Sequence, residues 1–144
     1  MDKIIISSCL LGNNTKYVGT NNYIDGIEAL KEKYIIIPIC PEVMGGLSIP
    51  REPSEIKDDK VISKAGNDVT KYFKAGCNHI LKLIENEDIK FAILKDGSPS
   101  CGVNYIYDGT FTKNKIKGNG LITKELIKKN IKIYSEHEIG ELLC

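Results

Sequence analysis

Lys3-Ile4-Ile5-Ile6-Ser7 opens the chain and runs directly into Ser8-Cys9. Three β-branched apolar residues in a row, bounded by polar ones, predict a strand buried on both faces, the kind a parallel sheet uses. Isoleucine-rich segments at 34–39, 90–94 and 131–134 repeat the pattern. Between them lie helical periodicities at 23–33, 67–87, 121–130 and 136–143. Within 67–87, Val69, Phe73, Gly76, Cys77, Ile80 and Ile84 recur at steps of three and four and so share one helix face. Strands alternating with helices imply right-handed crossovers. The expected class is therefore α/β: a Rossmann-like three-layer sandwich with a mostly parallel sheet of about four strands and helices on both faces. The stretch 56–63, centred on Asp58-Asp59, reads as a small hairpin or a loose excursion. Two loops, 8–22 and 40–55, are longer than connections that only join elements.

A chain of 144 residues corresponds to one domain spanning its whole length. Hydrophobic residues make up 42% and charged residues 27%, as in an ordinary globular protein. Twenty basic against 19 acidic residues leave a formal charge of +1, which argues against an electrostatic binder of intact nucleic acid. Arg51 is the only arginine, so recognition of phosphate or carboxylate by an arginine cluster is excluded. No apolar run approaches the roughly 20 residues of a membrane span. The start, Met1-Asp2-Lys3, does not read as a secretory signal, which points to the cytoplasm and to no membrane partner. Five cysteines in that reducing compartment are not expected to form a disulfide framework.

Their positions call for another explanation. Cys9 follows the first strand, Cys40 the second, and Cys101 lies in the loop after the third. In an open parallel sheet those strand ends share one edge, where ligands bind. Three thiols distant in sequence would thus converge without a CxxC motif. Cys77 falls on the apolar helix face, where cysteine behaves as a small hydrophobe. Cys144, the last residue, is given no role. Three thiolates with a fourth position free of protein ligands suit either a metal ion or a cubane cluster with one exposed iron. The two histidines, His79 and His137, fall in polar registers and are expected to face solvent.

The flanking residues add chemistry. Glu42, two residues beyond Cys40, would exchange protons near neutral pH if shielded from water. Its bland alternative is a loop carboxylate bonded to backbone amides. Ser98 and Ser100 place two hydroxyls beside Cys101; Ser100 would hold a substrate heteroatom or a water, or else cap its own turn. Gly45-Gly46 would leave room for a flat ligand, and Lys95 ends the third strand facing the same crevice.

Six blocks then follow in order: Ile6-Ser7-Ser8-Cys9-Leu10-Leu11-Gly12, Cys40-Pro41-Glu42-Val43-Met44-Gly45-Gly46-Leu47, Pro50-Arg51-Glu52-Pro53, Gly66-Asn67-Asp68-Val69-Thr70, Leu94-Lys95-Asp96-Gly97-Ser98-Pro99-Ser100-Cys101-Gly102 and Ile106-Tyr107-Asp108-Gly109-Thr110-Phe111. Together they resemble the thiouracil desulfidase (TudS) family, over nearly the whole chain. The resemblance implies a [4Fe-4S] cluster held by Cys9, Cys40 and Cys101 with one open iron. It also makes Glu42 the leading acid/base residue and Ser100 its companion in handling substrate. The implied reaction is a non-redox hydrolysis of thiolated uracil (4-thiouracil or its nucleoside or nucleotide) to uracil and hydrogen sulfide, the open iron taking the substrate sulfur. A small thiolated pyrimidine is then the expected partner. The competing class is an iron-sulfur or zinc module that senses or carries sulfur without hydrolysing anything.

Overall fold

Strands β1 (Lys3–Ser7), β2 (Ile35–Ile39), β5 (Ile89–Leu94) and β8 (Lys132–Ser135) form a parallel sheet in the order β2-β1-β5-β8 in the computed structural model, which describes residues 1–143. Cys144 lies outside the described residues. Register fixes the two faces: Ile5 sits beside Ile37 on one side and Ala92 on the other. Because side chains alternate along a strand, Ile5, Ala92 and Leu94 enter one apolar core, while Ile4, Ile6, Phe91 and Ile93 enter a second on the opposite face. Helices α3 (Thr70–Leu83) and α4 (Leu121–Lys128) cover the first core; α1 (Ile27–Lys33) and α5 (Ile139–Leu143) cover the second. This is the three-layer α/β sandwich expected from the isoleucine pattern. Among the described residues no helix is long and apolar enough to cross a membrane.

Helix boundaries are tighter than the periodicity suggested, for local reasons. Gly26, with φ of 96°, breaks the first pattern, so α1 begins at Ile27 rather than at residue 23. Residue Asp68 pairs with Ile62 in an isolated bridge and accepts the Thr70 N–H at 3.0 Å, which holds back the start of α3. Asn130 adopts φ of 61° just past α4, a left-handed stop that ends the helix before the expected residue 130. The last helix starts as a 3-10 turn, Glu136–Glu138, fixed by a capping box between Ser135 and Glu138.

The stretch with Asp58-Asp59 is a hairpin, β3 (Ser54–Lys57) with β4 (Lys60–Ser63), and both turn aspartates have positive φ, as a two-residue turn requires. Two further elements are not anticipated by the sequence pattern, one inside the loop 40–55 and one in a stretch without a predicted element. One is the single turn α2 (Pro41–Met44); the other is the ribbon of β6 (Tyr105–Tyr107) and β7 (Lys115–Lys117). The residues of β7 are all exposed, so no alternation marked them.

Residues Gly45 and Gly76 set where α2 lies. A Cβ on Gly76 would stand 1.8 Å from the Pro41 carbonyl oxygen, and one on Gly45 would stand 1.9 Å from that of Tyr72. The two helices therefore meet backbone to backbone, and no side chain larger than hydrogen fits at either point. Gly76→Ala should accordingly lower unfolding free energy in urea by about 1–3 kcal/mol, whereas Ala75→Gly, on the exposed side of the same helix, should cost no more than about 1 kcal/mol.

Candidate active site

Three strand ends supply three thiols. Cys9 lies in the 3-10 turn Ser8–Leu11 directly after β1, Cys40 caps α2 directly after β2, and Cys101 lies in the loop after β5. All three line one cavity of about 660 Å³, together with Glu42, Lys95, Ser98 and Ser100. Cys9 and Cys40 are half-buried, and Cys101 is 4% exposed. The four described cysteines are free. Cys77 is in the core under α3, and His79 and His137 are exposed, as expected.

Burial raises the pKa of each cavity thiol. At Cys9 a hydrogen bond from Asn22 Nδ2 (3.4 Å) offsets part of the rise. At Cys40 the N–H groups of Val43 and Glu42, at the start of α2, do the same. At Cys101 the offset comes from the hydroxyls of Ser7 and Ser100. Cys9 is also raised by Cys40 as a like charge, Cys101 by both Cys9 and Cys40, and Cys40 by the Glu42 carboxylate. Empty thiols are therefore held neutral, and a cationic group entering among them would displace protons.

The donor set can be tested against the two candidate groups. Among the described residues no three histidine, cysteine, aspartate or glutamate side chains are grouped to hold a single metal ion. A tetrahedral zinc, with Zn–S of about 2.3 Å, needs its sulfurs drawn around one point. A cubane takes one sulfur per iron at separate corners and so suits thiols spaced around a cavity. Three soft donors from three strands match the donor type of that group.

The loop bearing Cys101 is organised by Asp96, which is 2% exposed. Its Oδ1 accepts N–H bonds from Gly97, Val103, Asn104 and Tyr105 at 2.9–3.1 Å, and its Oδ2 accepts from Asn104 Nδ2 at 2.9 Å. Burial alone would raise its pKa, but the bonds from Tyr105, Asn104 and Val103 outweigh it and hold the carboxylate below its ordinary range. The Ser98 Oγ accepts the N–H groups of Ser100 (3.1 Å) and Cys101 (3.0 Å), closing the turn. The hydroxyl that caps the turn is thus that of Ser98, not that of Ser100 as the bland alternative has it.

That leaves Ser100 for other work. Its Oγ donates to Glu42 Oε2 at 3.0 Å, so the contact with Ser98 at 2.9 Å must have Ser98 as donor. Glu42 Oε1 accepts from Arg51 Nε at 3.1 Å, with the two side chains 15% and 7% exposed. The same guanidinium donates from Nη2 to the Thr15 carbonyl at 2.8 Å and from Nη1 to that of Ser48 at 3.3 Å, tying both long loops to the carboxylate. Lys95 Nζ pairs with Glu136 Oε2 at 2.9 Å, bringing the fourth strand's end into the site.

Residues Gly45 and Gly46 do not line the cavity. Gly45 is committed to the α2–α3 contact, so the expected room for a flat ligand is not made there. Three residues of the site were not nominated from the sequence: Arg51, Asp96 and Asn22. Arg51 carried two signals, its being the only arginine and its place in one of the six blocks; Asp96 lay in another block, and Asn22 carried none.

Asp96→Asn places a second NH₂ against Asn104 Nδ2 and should cost about 2–3 kcal/mol at neutral pH. Because the folded carboxylate titrates below its ordinary 3.8, its stabilisation is complete above that value and is lost as pH falls through the lower folded value. The gap between wild type and Asp96→Asn in thermal melts should therefore narrow between about pH 5 and pH 2. A constant gap would show that the charge contributes nothing.

A family model described as 2-thiouracil desulfurase matches residues 4–138. A protein of Bacillus subtilis (strain 168), the uncharacterized protein YbbK, is 35% identical over 150 residues covering 97% of this chain and 99% of its own. A solved structure, that of the [4Fe-4S]-dependent thiouracil desulfidase TudS, superposes with a TM-score of 0.92 at 40% identity, covering 99% of this chain and 95% of the other.

Proposed function

Since the chain belongs to the 2-thiouracil desulfurase family, we propose that it hydrolyses the carbon–sulfur bond of a thiolated uracil, 4-thiouracil or its nucleoside or nucleotide, releasing uracil and hydrogen sulfide. The observation that carries this reading is the cavity in which three thiols from adjacent strand ends meet the Ser98–Ser100–Glu42–Arg51 chain of hydrogen bonds. In this reading Cys9, Cys40 and Cys101 hold a [4Fe-4S] cluster. When bound, the cluster supplies a soft Lewis acid at its open iron, suited to a thiocarbonyl sulfur.

The protein's own groups handle the water. Glu42, oriented by Arg51 through Oε1, takes a proton from a water that approaches its Oε2 side. Ser100, already bonded to that oxygen, holds the water in line, with Ser98 donating to Ser100 as its own hydrogen turns. The water oxygen bonds to the ring carbon, the carbon–sulfur bond breaks, and both water protons leave on sulfur. Atoms balance as thiocarbonyl plus water giving carbonyl plus hydrogen sulfide, with no electron donor. Lys95, paired with Glu136, keeps a positive charge on the cavity wall, where a departing sulfide carries negative charge.

Single Cys9→Ser, Cys40→Ser and Cys101→Ser proteins, prepared without oxygen, should lose cluster iron or all sulfide release, while Cys77→Ser should keep both and lose only stability. Glu42→Gln should retain iron and turn over roughly 10²–10⁴-fold more slowly. Turnover in oxygen-18 water should label the uracil at the former sulfur position; unlabelled product would rule out hydrolysis. Bound zinc without iron and no sulfide release would favour the sensor or carrier class.

A further inference from the structure

Strand β3, strand β6 and the loop that joins β6 to β7 contribute Ser54, Glu55, Tyr107, Phe111 and Lys113 to the cavity, and that loop carries an aromatic residue in an unusual backbone conformation. Phe111 has φ of 58°, in the left-handed region that bulky side chains rarely enter. Its surroundings impose this. Glu55 on β3 accepts the Gly109 N–H at 3.0 Å and the Phe111 N–H at 3.1 Å, both on Oε1. Asp108 Oδ1 accepts the Thr110 N–H at 2.9 Å, and its Oδ2 accepts from Asn114 Nδ2 at 2.8 Å. Gly109 lies so close to the hairpin that a Cβ there would be 2.8 Å from Lys57 Cβ and 2.9 Å from the Ile56 carbonyl oxygen. Strain maintained by so many neighbours is characteristic of ligand clamps.

Phe111 lines the same cavity as the thiols and Glu42, as do Tyr107 and Tyr17. Ser98, Ser100, Glu42 and Lys95 offer that cavity hydrogen-bonding groups and charge; its aliphatic lining includes Ile39, Pro41 and Pro99, and its aromatic lining is Tyr17, Tyr107 and Phe111. A pyrimidine has polar edges and two flat π-faces; the edges match the polar groups, and a face needs an aromatic surface. We propose that Phe111 is the stacking platform for the substrate ring, a specificity-determining residue held ready by Glu55. The identity of the ring as a uracil rests on the desulfidase reading.

The test uses cluster-loaded protein kept free of oxygen, with uracil as the binding probe in calorimetric titration and 4-thiouracil in kinetics. Phe111→Gly removes the ring and the left-handed penalty together, so it should melt at about the wild-type temperature while binding uracil about tenfold more weakly. Phe111→Leu keeps a bulky side chain on the same backbone and should likewise raise KM for 4-thiouracil, with kcat within about twofold. Equal uracil affinity in all three proteins overturns the proposal, as does a wild type that binds no uracil. So does a Phe111→Gly protein that melts lower with its affinity intact, which assigns the ring to packing. Phe111-dependent uracil binding in a protein that releases no sulfide from 4-thiouracil upholds the platform and removes the desulfidase reading alone.

Discussion

A parallel strand hands its next residue to one edge of the sheet only, and that constraint governs this molecule. Adjacent strands β2, β1 and β5 run the same way, so the chain leaves each at the same rim, and each exit carries a cysteine within a few residues. No local motif is needed, because the sheet itself gathers the thiols. Everything else at the site adjusts that gathering: a 3-10 turn after β1, one helical turn after β2, and a loop wound around a carboxylate after β5. The last has the furthest to travel, seven residues from Leu94 to Cys101, and is the one with the densest internal bonding.

Two acidic side chains near the rim illustrate how surroundings divide labour. Asp96 is saturated, its oxygens taken by four backbone N–H groups and a side-chain amide. Such a group is a structural anchor, since any proton arriving there would have to displace those bonds. Glu42 has one side-chain partner per oxygen, both at the cavity wall, so lone pairs remain for a water or a substrate. Both lie within five residues of a cysteine, and only tertiary contacts separate scaffold from reagent.

How far the sequence could be read follows from the same distinction between local and distant causes. Runs such as Ile4-Ile5-Ile6 identify buried strands because both faces must be apolar, and strand order then places Cys9, Cys40 and Cys101 together. The burial of Cys77 and the exposure of His79 follow from helical spacing alone. Legibility ends where meaning depends on a neighbour far along the chain. Gly45 reads as open space, but what it faces is a carbonyl on α3. Arg51 reads only as the chain's single arginine, but it joins Thr15 to Glu42. The β6–β7 ribbon has no buried stripe on β7 to betray it; its order comes from Asp108, Asn114 and Glu55.

The core position of Cys77 has a consequence for the chemistry of sulfur in this molecule. Burial pushes its thiol up to about 12, so at neutral pH almost none of it is thiolate, the form that attacks oxidants and captures loose metal. It lies on the buried face of α3, walled off by packed aliphatic side chains. A protonated thiol enclosed by aliphatic side chains is shielded both from oxidants and from metal capture, so Cys77 serves the molecule as a small apolar group.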